Sequence, residues 1–223
     1  MNDMTLYTYC RDLKTLMYYF MQCEYINTFK ISLPKADKQP IECYMDNELK
    51  ALLKKPELKK CSFTEYKSWV IINFLLSTGV RQNSLINIKI KDSDFDNEVA
   101  HIKVTKNRKP LIVPLNGTII KILKSYLEVR QHETEEDYLF CNVFGKQLIK
   151  STVYNSIVDF HKARWVEKTG IHRYRHTFAR KYILNGGSVT TLQKILGHSS
   201  LAITENYINV LTCDIKKDME KIY

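Results

Sequence analysis

The sequence predicts a mainly α-helical domain carrying a small antiparallel β-sheet, an α+β fold. Three observations lead there. Apolar residues recur at helical spacing through most of the 223-residue chain. One stretch alone, Val99-Ala-His-Ile-Lys-Val, alternates with a period of two, and Leu111-Ile-Val follows it after a polar, proline-containing turn. The composition, 44% hydrophobic and 26% charged with only 7 Gly and 5 Pro, suits a globular core and excludes collagen-like or low-complexity chains.

Taken in order, residues 5–26 place Leu6, Leu13, Leu16, Met17, Phe20 and Met21 near one helical face. Residues 27–41 carry Pro34 and Pro40 and little apolar pattern, so they read as a linker. The chain is accordingly expected to divide into 1–40 and 41–223. Asp46 is expected to cap a helix 47–54 that halts before Pro56. Ser62 and Glu65 fit a capping box, opening a buried helix to about Ser77, with Gly79 as its stop. The hairpin of 99–113 follows. Helices are then expected at 117–130, 151–163, 173–184, 189–196, 200–209 and 213–221, with breaks at Gly186-Gly187 and Gly197.

Charge narrows the function. The net charge is +10, which on a chain of this kind points first to a polyanion. Between Val99 and Leu127 there is no acid and six cations, Lys103, Lys106, Arg108, Lys109, Lys121 and Lys124. Between Lys168 and Thr204 there is again no acid and six cations, among them Arg173, Arg175 and Lys194. Acids crowd instead at 92–98 and 133–137. Two distant segments cleared of acids suggest that both face one anion, and two basic solvated faces are the other reading. The longest apolar run, Trp69 to Leu76, is far short of the ~20 residues that span a bilayer, so no membrane is expected. Met1 is not followed by a basic and then apolar leader, and the six Cys form no CxxC pair. A reducing, cytoplasmic setting with unpaired thiols is therefore expected, and no zinc ribbon.

Four pieces carry chemistry. Thr78-Gly79-Val80-Arg81 lifts an Arg off a helix end, where its fork can reach a phosphate. Lys106 stands on the hairpin tip with Asn107, Arg108 and Lys109. His172-Arg173-Tyr174-Arg175-His176-Thr177-Phe178 puts His172 and Arg175 three apart, on one face of a helix. His172 and His176 have zinc-pair spacing, but the glutamate of H-E-x-x-H is missing and no third ligand is apparent. Leu196-Gly197-His198 completes the set, with Tyr207 nine residues after His198.

In this order the motifs resemble the tyrosine recombinases, the phage-integrase-like site-specific recombinases, over about residues 41–223. The resemblance implies the DNA breaking-rejoining catalytic fold. It implies Arg81, Lys106, His172, Arg175 and His198 as catalytic residues and Tyr207 as the nucleophile. It further implies that 1–40 corresponds to the C-terminal remnant of a core-binding, SAM-like helical domain plus linker. Double-stranded DNA would be the partner, with four protomers on two sites, the C-terminal tail docking in trans, and accessory DNA-bending proteins. Lys103, Arg108, Lys109, Arg173 and Lys194 would contact DNA. No metal and no cofactor is implied. Two positions depart from the family pattern: Ser84 stands where an acid is usual, and Tyr174 where Leu is common. A buried Tyr174 would need a partner for its hydroxyl.

These residue types suit phosphoryl transfer. Two Arg forks and His donors can stabilise a pentacoordinate phosphorus without a metal. A Tyr oxygen, with a reference pKa of about 10, needs cations or a base to become a nucleophile. Lys106 would protonate the departing 5′-oxygen, His172 would move the proton of Tyr207, and His198 would bind a non-bridging oxygen. Type IB topoisomerase-like relaxation and a non-catalytic DNA-binding relic are the competing readings.

Overall fold

The computed structural model describes residues 3–35, 41–105, 109–201 and 204. The chain divides into two units, Met1–Pro40 and Ile41–Tyr223. The first contains helix α1 (Asp3–Gln22), which ends where Glu24 turns into the left-handed region at φ 58°. That end lies four residues short of the sequence expectation.

The second unit is organised around α3 (Phe63–Thr78). This helix has no single polar face, Lys67 and Ser68 are buried along with its apolar residues, and Val70, Ile72, Phe74 and Leu75 are fully buried. Each such side chain contributes about 1.5–3 kcal/mol on leaving water. A helix without a polar face has to be surrounded. Helix α2 (Asp46–Leu53), α5 (Gly117–Arg130), α6 (Lys150–Lys162) and α7 (Ile171–Leu184) all pack on α3. Ser62 caps α3 by accepting from the Glu65 amide at 3.1 Å, as the spacing predicts, and Gly79 closes it at φ 62°. The Glu65 side chain pairs with Arg164 of the 163–170 loop at 2.9 Å.

The sheet is antiparallel with order β1 (Ser93–Asp94), β2 (Val99–Ile102), β3 (Leu111–Pro114), and Ala100 faces Val113 while Ile102 faces Leu111. Ala100, Ile102 and Val113 point into the core, which is why the segment alternates. Strand β1 is two residues long, too short to leave a pattern in the sequence. Helix α8 (Val189–Leu196) begins at the Ser188 cap and ends at Gly197.

Two boundaries differ from expectation. Met45, not Asp46, occupies the cap of α2, because the Glu48 carboxylate accepts from the Met45 amide at 2.7 Å and pulls the helix start back one residue. Helix α7 starts at Ile171, two residues early, so His172 lies inside it. The helices expected at 200–209 and 213–221 fall almost wholly outside the described residues. Among the described residues no helix is long and apolar enough to cross a membrane.

Candidate active site

Four elements bring their ends together. Gly79 allows the first approach: a Cβ there would stand 2.5 Å from the Phe178 ring and 2.9 Å from Leu196. Only glycine tolerates both that contact and the positive φ. The turn sets Arg81 at the start of the short helix α4 (Gln82–Leu85) and aims the Gly79 carbonyl at α7.

Arg175, 2% exposed, receives that carbonyl. Its Nη1 donates to Gly79 O at 2.6 Å, and its Nη2 donates to Leu196 O at 2.6 Å and to His198 Nε2 at 2.8 Å. Arg81 Nη1 reaches the same Leu196 carbonyl at 3.4 Å. The last turn of α8 thus gathers two guanidinium groups, and Gly197 turns the chain so that His198 joins them. A guanidinium does not deprotonate here, so both charges are fixed.

His198 is buried, and its tautomer follows from its neighbours. Arg175 can only donate, so Nε2 accepts and the proton sits on Nδ1, which donates to Thr204 Oγ1 at 2.9 Å. Burial first, then the charges of Arg175 and Arg81, push its pKa down to about 4. His176 is held at about 4 by burial and by His172, Arg175 and Arg173. His172 lies one turn before Arg175 with an exposed edge. Desolvation and the charges of Arg175 and Arg81 hold it below the usual range.

A cleft of ≈ 380 Å³ opens in front of this group, and Arg81, Ser84, Thr105, Lys109, Arg175 and His198 line it. The structure therefore brings Arg81, Arg175 and His198 together, with His172 beside them. Lys106, Arg108 and Tyr207 lie outside the described residues. Thr105 and Lys109, the two neighbours of that hairpin tip, both border the cleft, and Thr105 Oγ1 donates to the Lys109 carbonyl at 2.7 Å.

The other expected DNA contacts separate into two kinds. Lys109 and Lys194 are exposed. Lys103, exposed as well, pairs with the buried Asp92 carboxylate, and Arg173 donates to the Glu42 carbonyl, with the Tyr44 ring 5.8 Å away. One participant, Thr204, escaped the sequence reading, and so did the role of another, Ser84. Thr204 orients His198, and nothing in a lone Thr marks it. Ser84 donates to the Val104 carbonyl at 2.8 Å, fastening α4 to the strand end that leads into the hairpin tip. An ionised acid has no proton to give there, so the departure at 84 changes the wiring. Tyr174 finds its partner in His161. Among the described residues no group of three His, Cys, Asp or Glu could hold a metal ion.

A helical unit with a three-stranded sheet, converging on two arginines and a histidine, has the architecture of the tyrosine recombinase catalytic domains. The chain belongs to the phage integrase family, whose pattern it matches over residues 44–212. It is 32% identical to the tyrosine recombinase XerD of Staphylococcus saprophyticus, over 85% of this chain and 65% of that protein. It is 34% identical to a probable integrase/recombinase of Acholeplasma phage L2, over 84% of this chain and 65% of that protein. The chain thus spans just under two thirds of the length of these relatives. In fold it resembles the XerH site-specific recombinase, solved as a post-cleavage complex with its palindromic difH substrate. The TM-score is 0.67 at 26% identity, covering 81% of this chain and 53% of that one.

Proposed function

We propose that the protein is a site-specific DNA recombinase that cuts and rejoins strands through a 3′-phosphotyrosyl intermediate on Tyr207, without metal or ATP. The observation that carries this reading is the meeting of Arg81 and Arg175 at the Leu196 carbonyl, with His198 bonded to Arg175, beside a cleft free of carboxylates among its lining residues. Tyr207 attacks phosphorus, the Tyr O–P bond forms, and the 5′-oxygen departs with a proton from Lys106. Attack by another strand's 5′-hydroxyl reverses the step, so the bond energy is conserved. His172 handles the proton of Tyr207.

The resting site has a barrier to overcome. Both ring nitrogens of His198 are engaged, and Arg175 is turned to carbonyls. A phosphodiester entering the cleft offsets the two guanidinium charges, which raises the pKa of His198. Once protonated, His198 donates from both nitrogens, and Arg175 is released from Nε2 toward the phosphate. The partner is double-stranded DNA, drawn by the acid-free segments and exposed Lys109 and Lys194. Four protomers on two sites, aided by DNA-bending proteins, would let strands exchange. The action belongs to the cytoplasm, where the DNA is.

The test is a pool of nicked duplexes with randomised cores, incubated with the full chain in EDTA. An SDS-stable adduct whose duplexes enrich for one sequence is expected, and Tyr207→Phe should form none. Adduct from that variant rejects the nucleophile. Adduct without sequence enrichment, together with relaxation of supercoils, would favour a topoisomerase-like activity instead. Lys106→Ala should recover on a duplex with a 5′-bridging sulfur, since a thiolate leaves without a proton.

A further inference from the structure

Helix α7 carries His172 and Arg175, yet no side chain caps its start. Gly170, at φ 126°, turns the chain directly into the helix. What holds this start in place comes from α6 and from Tyr44, whose hydroxyl donates to the Gly170 carbonyl at 3.5 Å. His161, fully buried, faces both sides of the Gly170 turn. Its Nδ1 meets the Lys168 carbonyl at 2.8 Å, ahead of the helix, and its Nε2 meets the Tyr174 hydroxyl, within the helix. A carbonyl only accepts, so Nδ1 carries the proton, and the neutral ring accepts the Tyr174 O–H at Nε2. The Tyr44 ring closes the cluster, 4.7 Å from Tyr174 and 5.6 Å from His161. The Tyr44 amide adds a bond to Thr177 Oγ1 at 3.0 Å.

We propose that Tyr174 and His161 are positioning residues. Their hydrogen bond fixes the start and rotation of α7, and with them the aim of His172 and Arg175 into the cleft. The proposal rests on the reading that those two side chains act on phosphate. Each residue turns a helix by about 100° and advances it 1.5 Å. Tyr174 is two residues from His172 and one from Arg175, so an anchor on it sets both directions. Leu, usual at this place in the family pattern, would fill the same core but anchor nothing through hydrogen bonding.

Tyr174→Phe keeps the ring and removes the anchor. In the full chain with nitrogen-15 histidine, His172 is titrated by NMR. Its pKa, held below 6.5 by burial, Arg175 and Arg81, should rise as the ring turns away from them. Adduct formation on duplexes enriched from the randomised pool should fall roughly ten- to a hundredfold, with duplex affinity unchanged. An unchanged His172 titration and an unchanged rate overturn the proposal. If Tyr174→Phe fails to fold, the double variant Tyr174→Phe/His161→Leu removes both partners of that hydrogen bond, and the half-buried Lys168 carbonyl loses its donor with them. The same losses are expected, and failure of both variants to fold makes the pair a structural requirement and rejects positioning. His172→Ala separates the two layers. Full adduct formation there removes His172 from the reaction, while an impaired His172→Ala beside an unimpaired Tyr174→Phe rejects the positioning proposal alone.

Discussion

Arg173 and Arg175 stand two residues apart on one helix and lead different lives. Arg173 turns to the 42–44 segment, where Glu42 supplies a carbonyl and, 3.9 Å away, a carboxylate oxygen. Arg175 turns inward, to the Gly79 and Leu196 carbonyls and a neutral imidazole. Near a carboxylate, part of a guanidinium's field is offset and the pair also fastens the chain. Held by carbonyls, it keeps a net charge that an incoming anion can meet. Lys103 on Asp92 belongs with Arg173, and Arg81 belongs with Arg175.

The contrast breaks most sharply at Arg175. Arg175→Lys keeps the charge but loses the fork, and adduct formation should fall on the order of 10²–10³-fold. Activity near the unmodified level would move Arg175 to the fastening class. Next in size is a response to acid. His176 and His198 titrate near 4 when folded and near 6.5 when unfolded. The unfolded chain therefore binds more protons between those values, and stability falls as pH drops through that window. The loss should be on the order of 2–3 kcal/mol per histidine by pH 4, read by urea unfolding at a series of pH values. A flat profile between pH 6.5 and 4 would show that neither ring is held neutral.

Smaller effects sharpen the same distinction. Ser84→Ala should cost about 1 kcal/mol and slow cleavage severalfold, by freeing the Val104 carbonyl. Ser84→Glu, which restores the family's acid, should be worse than Ala, because a carboxylate cannot donate to that carbonyl. Thermal melts and adduct rates check both. The smallest change is expected from Arg173→Ala, whose DNA affinity should keep its salt dependence. Lys194→Ala should lower the slope of log affinity against log salt by about one. A similar drop for Arg173→Ala would give it a phosphate after all.

Much of this was legible from local signals. The Ser62 cap, the Gly79 stop, the 117–130 and 189–196 helices and the alternation of Val99–Ile102 all arise within a few residues of sequence. Arg81, Arg175 and His198 were legible because their motifs are rare and ordered along the chain. The early start of α7 was hidden, since its anchor is His161 on another helix, ten residues upstream of Ile171. The roles of Ser84 and Thr204 were hidden for a related reason. A hydroxyl's partner is decided in space, by Val104, 20 positions along the chain, folding back to Ser84. Arg173 and Lys103 read as DNA contacts from charge alone, and the carboxylates that stand beside them, Glu42 and Asp92, are brought there by the fold.

Gly79 has one more consequence. The peptide it terminates grips Arg175 through its oxygen, and the same short turn delivers Arg81 two positions later. Both cations therefore share a mechanical datum. A shift of this corner carries the two along as a pair before it alters the gap between them, so the width of the anion seat is insulated from small movements in the surrounding helices. Adding a single methyl at that corner would remove this insulation, because the corner would then have to yield to Phe178 or Leu196.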